Sequence, residues 1–222
     1  MRAPGWTARL GVTTAALALT ATAATAATAA PQAAPAAAPA AARTAAAGPA
    51  FTGAQLAGVD YGTWQRDVAA ALSQARPYIE QRTASPSGKK LAVVFDIDNT
   101  SLETDFHYFW EFPTPAVRAS LDLARYADSR GVDVFFVTAR PGILHAPTAY
   151  NLKAVGYPVD GLYVRDLPDL FDEVSAYKTG KRAEIEAKGY TIIANVGNRP
   201  TDLVGGHAER TFKLPDYDGK LS

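Results

Sequence analysis

The chain has 222 residues, with 22 basic and 22 acidic side chains and no cysteine. The lack of cysteine excludes disulfide staples, thiolate metal sites and a cysteine nucleophile. Balanced charge without a long basic run gives no basis for a nucleic-acid polymer as partner.

Residues 1–30 open with Arg2 and Arg9, run apolar from Leu10 to Leu19 and end in small residues that offer A-x-A sites. That order reads as a secretory signal peptide, which implies a secreted, extracellular protein. The apolar run is short and Thr-interrupted for a membrane span, so no stable span is expected after cleavage, with an uncleaved anchor as the alternative. Residues 31–50 are rich in Ala and Pro and read as an extended linker that can build no core. Residues 51–222 remain for folding, which suits one domain.

Thr63 is placed to cap a helix carrying Trp64, Val68, Leu72 and Ile79 at near-helical spacing, with a kink at Pro77. LAVVFDID (91–98) is a continuous apolar run closed by two acids, the pattern of a strand buried on both faces. Residues 113–131 predict a helix starting near Thr114 and stopping at Gly131. VDVFFVTAR (132–140) is a second buried strand, 146–155 a short helix, and LYVR (162–165) a weaker strand. Residues 176–188 predict a helix, YTIIANVGN (190–198) another strand, and RTFKL (210–214) the last. Alternating strands and helices argue for a three-layer α/β fold with a mostly parallel sheet. In such sheets ligands bind outside the carboxyl ends of the strands. The polar chemistry falls there: Asp96 and Asp98, then Thr138 and Arg140, then Asn198 and Asp202.

Each group also has an ordinary reading. Asp96 and Asp98 in DIDNT could simply end a strand and cap a turn. Two carboxylates so placed repel when ionised, and a divalent cation relieves the repulsion. Mg²⁺ is the natural choice, because it takes hard oxygen ligands and keeps waters that a phosphate can replace. Thr138 could be only a turn former, but its hydroxyl and the backbone of Ala139 and Arg140 can also hold phosphate oxygens. Lys178 would neutralise a phosphate and a carboxylate if it reached the site, whereas Lys181 and Arg182 read as solvated charges. The loop GNRPTDL (197–203) offers oxygen side chains suited to a metal shell.

In this order, each after its own strand, these elements resemble the haloacid dehalogenase (HAD) superfamily: D-x-D-x-T, a strand-end Thr, a Lys and a late acidic loop. VVFDIDNTSLET, FFVTARP, YKTGKR and NVGNRPTDL look like the acid phosphatase branch that includes plant vegetative storage proteins and class B-like bacterial enzymes. The resemblance spans residues 60 to 215 and implies a Rossmann-like fold with an N-terminal helix and no large cap domain. It implies that Asp96 attacks phosphorus and that Asp98 acts as general acid and then base. It further implies that Asn99, Thr138, Ala139, Arg140 and Lys178 contact the phosphoryl group, and that Asp96, Asp98 (through its carbonyl), Asn198 and Asp202 hold Mg²⁺. That branch usually carries Asp at position 198; Asn keeps the carbonyl oxygen and loses the charge, which predicts weaker metal binding.

The segment DFHYFWEF (105–112) holds five aromatics. Half of these are expected in the core, and the rest could form a rim for a nucleoside, an aryl group or lipid. His107 reads as structural, and Arg140 can reach a phosphate or pair with a motif acid. The predicted activity is hydrolysis of small organic phosphate esters. A lipin-like phosphatidate phosphatase, which GNRPTD resembles, and a silent storage or phosphate-binding protein are the alternatives. The oligomeric state is not legible.

Overall fold

The computed structural model describes residues 52–85 and 88–221. The leader and linker expected over residues 1–50 lie outside the described residues. Strand β1 (Lys90–Phe95) forms from the apolar run before Asp96 and becomes the centre of the sheet. Around it stand β2 (Asp133–Pro141), β3 (Gly161–Arg165), β4 (Tyr190–Gly197) and β5 (Thr211–Lys213), in the order β3-β2-β1-β4-β5. Every pairing is parallel. This is the α/β architecture expected from the alternation.

Successive residues of β1 feed opposite cores, as the two-residue period of a strand requires. Val93 and Phe95 join a large cluster with Trp64, Val68 and Leu72 of α2 (Tyr61–Leu72), Ile79 of α3 (Ala75–Thr83) and Leu123 of α4 (Arg118–Ser129). Leu152 of α5 (His145–Ala154) belongs to the same face. Ala92 and Val94 join a smaller cluster with Tyr177 and Ile185 of α6 (Val174–Ala187). Both faces are covered, which explains why the strand runs are apolar throughout rather than alternating.

Three local details differ from expectation. The N-cap of α2 is Asp60, whose carboxylate accepts from the Thr63 amide at 2.7 Å, so Thr63 lies one turn inside the helix. The chain breaks between α2 and α3, at Ser73 and Gln74, instead of kinking at Pro77. Pro77 then falls in the first turn of α3, where a missing amide costs nothing. Helix α4 begins at Arg118, not near Thr114. Residues 115–117 are drawn into extended pairing with the first motif, through Glu103 N to Pro115 O at 3.0 Å and Val117 N to Ser101 O at 2.9 Å.

The loop 197–203, expected to be irregular, contains the single-turn helix α7 (Pro200–Leu203). Residues 96–117, between β1 and α4, hold only a single-turn 3-10 helix, Thr104–Phe106. Among the described residues no helix is long and apolar enough to cross a membrane. The chain moves outward from β1 through β2 to β3, then crosses back to place β4 on the other side of β1. That reversal opens a crevice at the carboxyl ends of β1 and β4, the position where open parallel sheets bind ligands.

Candidate active site

The crevice holds a pocket of about 360 Å³. Asp96, Asp98, Ala139, Lys178 and Asp202 line it, joined by Val174, Arg199 and Thr201. The carboxyl ends of β1 and β2, the start of α6 and α7 thus converge, as their spacing in the sequence suggested.

The first motif is cinched on one carbonyl. The amides of Thr100, Ser101 and Leu102 all donate to Ile97 O, at 3.2, 2.8 and 2.9 Å. Asn99 takes φ 52°, a left-handed conformation that Asn tolerates better than most residues. The Ser101 hydroxyl donates to Asp96 O at 2.6 Å and fixes the start of the loop. Asp96 and Asp98, two residues apart, are thereby held on the pocket wall.

Lys178 joins the two ends of the crevice. Its ammonium lies 2.5 Å from Asp96 Oδ1 and 2.6 Å from Asp202 Oδ1, and all three side chains are buried. The Asp96 carboxyl is raised to about 7: burial is the main cause, Lys178 opposes the rise, and the charges of Asp202 and Asp98 add to it. For Lys178, burial opposes the charge, but the two facing carboxylates outweigh it and hold the ammonium above its ordinary value. The two shifts agree: one cation faces two anions, so the cation is retained and negative charge is in surplus.

Asp202 is braced from several sides. Its Oδ2 accepts from Arg199 N at 2.7 Å, and its backbone carbonyl accepts from Arg182 Nη1 at 2.8 Å and Asn195 Nδ2 at 2.9 Å. Its Cβ packs so close to Gly197 that a Cβ there would sit 2.3 Å away, so only glycine fits at the end of β4. Arg182, read as a solvated charge, is instead 1% exposed. It donates to the carbonyls of Asp202, Val204 and Gly206 and ties α6 to the fourth motif. The signal was available: Arg182 sits four residues after Lys178 and so on the same helix face.

The other expected contacts are distributed differently. Arg140 pairs with Asp98, Nε to Oδ2 at 3.1 Å and Nη2 to Oδ1 at 2.7 Å, and its Nη1 donates to Thr148 Oγ1 at 3.1 Å. Thr138 is fully buried, and its hydroxyl accepts from the Arg140 amide at 3.2 Å. Asn99 turns its Oδ1 to the Asp105 amide at 3.0 Å, supporting the loop rather than lining the pocket. Asn198 is fully buried behind the wall, with its Oδ1 accepting from the Thr100 hydroxyl at 3.2 Å. Arg199 and Thr201, within the GNRPTDL loop but not singled out in it, also line the pocket, as does Val174, which carried no motif signal.

Asp96, Asp98 and Asp202 do not close into one ligand cluster; among the described residues no group of three or more His or acidic side chains is so arranged. The Asp98 carboxylate is paired with Arg140 instead. The donor chemistry nevertheless suits a divalent cation: two buried carboxylates with surplus negative charge, and a buried carboxamide oxygen on the neighbouring strand end.

A larger cavity, of about 560 Å³, lies beside α1 (Gly53–Leu56) and Glu103. The Glu103 carboxylate there is saturated by Tyr61 Oη at 3.0 Å, Gln65 Nε2 at 2.6 Å and His107 Nε2 at 3.1 Å. None of Asp96, Asp98, Thr138, Lys178 and Asp202 lines it.

A family model described as HAD superfamily, subfamily IIIB (acid phosphatase), matches residues 15–220. The stem 28 kDa glycoprotein of Glycine max is 34% identical over 106 residues, 46% of this chain and 42% of that protein. Vegetative storage protein 1 of Arabidopsis thaliana is 28% identical over 143 residues, 55% of this chain and 53% of that protein. Acid phosphatase 1 of Solanum lycopersicum is 28% identical over 143 residues, 55% of this chain and 56% of that protein. The chain thus spans about half the length of the curated relatives it matches. The class C acid phosphatase of Bacillus anthracis superposes with a TM-score of 0.58 at 18% identity, over 71% of this chain and 80% of that one, which is a likeness of fold.

Proposed function

Because the chain belongs to the HAD superfamily, subfamily IIIB (acid phosphatase), we propose that it is a secreted, Mg²⁺-dependent phosphomonoesterase acting on small organic phosphate esters. The observation that carries this reading is the buried Asp96–Lys178–Asp202 triad at the carboxyl ends of β1 and β4.

Asp96 attacks phosphorus in line and becomes an aspartyl-phosphate, while the ester oxygen departs on the side of Asp98. Asp98 gives that oxygen its proton, then takes one from the water that cleaves the intermediate. Lys178 stays cationic and neutralises oxygens of the transferring group. Fixed by Asp96 and Asp202, its ammonium needs no reorganisation as charge develops. Arg182 and Gly197 hold Asp202 where it faces Lys178. Asp96, the Asp98 carbonyl, Asn198 and Asp202 would hold Mg²⁺, which when bound supplies further charge neutralisation at the phosphoryl oxygens.

The test is hydrolysis of p-nitrophenyl phosphate with Mg²⁺ and with chelator, beside Asp96→Asn. Turnover that requires metal and vanishes in the variant supports the reading. A folded wild-type protein without turnover favours the storage or phosphate-binding alternative, to which the names of the Arabidopsis thaliana relatives point.

A further inference from the structure

Three arginines stand around the catalytic crevice, and two of them are committed to the protein. Arg140 grips the Asp98 carboxylate with Nε and Nη2, and Arg182 gives its guanidinium to the carbonyls of Asp202, Val204 and Gly206. Arg199 differs from both. It is half-buried and lines the catalytic pocket. Among the described residues its guanidinium makes one hydrogen bond, from Nη1 to Leu221 O at 3.0 Å, and no carboxylate lies within ion-pair distance of it.

That bond anchors the side chain to the end of the described chain. Leu221 is fully buried in the large core beside Leu214, and Tyr217 ties the same segment to α2, its hydroxyl donating to Asp67 Oδ2 at 2.7 Å. With Nη1 held, the Nε–Nη2 edge of Arg199 has no partner among the described residues. This edge is a planar pair of parallel donors that matches the two oxygens of a carboxylate. The molecule uses it that way twice: Arg140 presents Nε and Nη2 to Asp98, and Arg82 presents them to Glu209. Thr201 lines the same pocket, and its hydroxyl also has no partner among the described residues.

Asp202 sets where Arg199 stands relative to the nucleophile. Its Oδ1 accepts from Lys178 and its Oδ2 from the Arg199 amide at 2.7 Å, so the row runs Asp96, Lys178, Asp202, Arg199. All four line one pocket of about 360 Å³, so an ester with phosphorus at Asp96 keeps its leaving group in the same pocket as the guanidinium. Charge favours a carboxylate there over a second phosphate. Asp96, Asp98 and Asp202 share the pocket, and they repel a doubly charged group more than a singly charged one.

We infer that Arg199 is a specificity-determining residue that receives a carboxylate on the leaving group, so that phosphate esters of hydroxy acids are preferred over esters of uncharged alcohols. The inference rests on the phosphatase reading above.

The experiment is calorimetry of the full chain in excess Mg²⁺ with three non-hydrolysable ligands: carboxyethylphosphonate, propylphosphonate and propylene diphosphonate. The carboxylate compound is expected to bind about tenfold or more tighter than the propyl one, the scale of a charge-assisted hydrogen-bonded pair, and tighter than the diphosphonate. Arg199→Met should bring the carboxyl-to-propyl ratio to within about twofold of one, and Arg199→Lys, which keeps the charge and loses the fork, should lower it by about threefold. A role limited to holding Leu221 would lower the unfolding midpoint of Arg199→Met and leave the ratio where it was. A wild-type ratio near one, a ratio unmoved in folded Arg199→Met, or tightest binding of the diphosphonate overturns the inference. If Arg199→Met does not fold, a ratio unmoved in Arg199→Lys overturns it instead. Failure of the phosphatase reading is distinguishable: the carboxylate preference would persist while carboxyethyl phosphate went unhydrolysed.

Discussion

The Lys178 ammonium lies 2.5 Å from Asp96 Oδ1, and both side chains are buried. Asp202 shares the same cation at 2.6 Å. One ammonium between two carboxylates leaves an anion in excess, and the consequences can be measured.

Asp96→Asn should abolish turnover and raise the stability of the metal-free protein. The folded-state value of Asp96, about 7, lies above its ordinary 3.8. The native state therefore binds more protons than the unfolded one between these values, and stability falls as pH rises through that window. The gain from Asn should be absent near pH 4 and grow to roughly 4 kcal/mol well above pH 7. Urea denaturation across that range is the measurement. A gain that is larger at pH 4 than at pH 8 would contradict the assignment.

Lys178→Met leaves Asp96 and Asp202 facing each other without a cation. Removing one partner of a buried pair costs on the order of 3 kcal/mol. The loss should be smaller at pH 5 than at pH 8, because Asp96 can then take up a proton. Unfolding midpoints at the two pH values check this.

Arg182→Met removes one donor from each of the carbonyls of Asp202, Val204 and Gly206, although Asp202 O keeps Asn195 Nδ2 and Val204 O keeps the Thr179 hydroxyl. Three lost hydrogen bonds to a charged donor, at carbonyls that keep another partner or reach water, predict a loss of about 1–3 kcal/mol. Asp202 loses a brace as well, so Mg²⁺ affinity measured by calorimetry should weaken in parallel. Unchanged Mg²⁺ affinity in a folded variant would separate the clamp from the metal shell.

Asn198→Ala should weaken Mg²⁺ binding about tenfold or more, and Asn198→Asp should strengthen it. Calorimetry on both variants decides whether the buried carboxamide belongs to the ligand set. Equal affinities in wild type and Asn198→Ala would remove it.

Arg82 grips Glu209 through Nε and Nη2, both at 2.6 Å, tying α3 to the segment before β5. The hydrogen bond from Arg82 holds the Glu209 carboxyl below its ordinary value of 4.5. A depressed carboxylate stabilises the fold above its unfolded value and loses that contribution as pH falls through the folded one. Glu209→Gln should therefore cost roughly 0.5–1 kcal/mol at pH 7, the range for a partly exposed pair. The difference should fade as pH drops below about 4.5. Chemical denaturation of both proteins at pH 7 and in mild acid tests this.

The sequence by itself determined the elements and the chemistry of their ends. The run before Asp96 had to be a doubly buried strand, because every position is apolar. Asp96, Asp98, Thr138, Lys178 and Asp202 could be picked out because each follows or opens an element whose period is legible within a few residues. What only the tertiary structure decided were the pairings. Arg140 could have met a phosphate or an acid, and it meets Asp98, 42 residues away. Arg182 could have been solvated, and it is buried because β4 returns beside β1 and brings the carbonyls of Asp202 to Gly206 under α6. Helical and strand periods report which face a residue occupies. They carry no information about which distant backbone the strand order will set against that face, and that strand order decides whether a cation is solvated or built into the site.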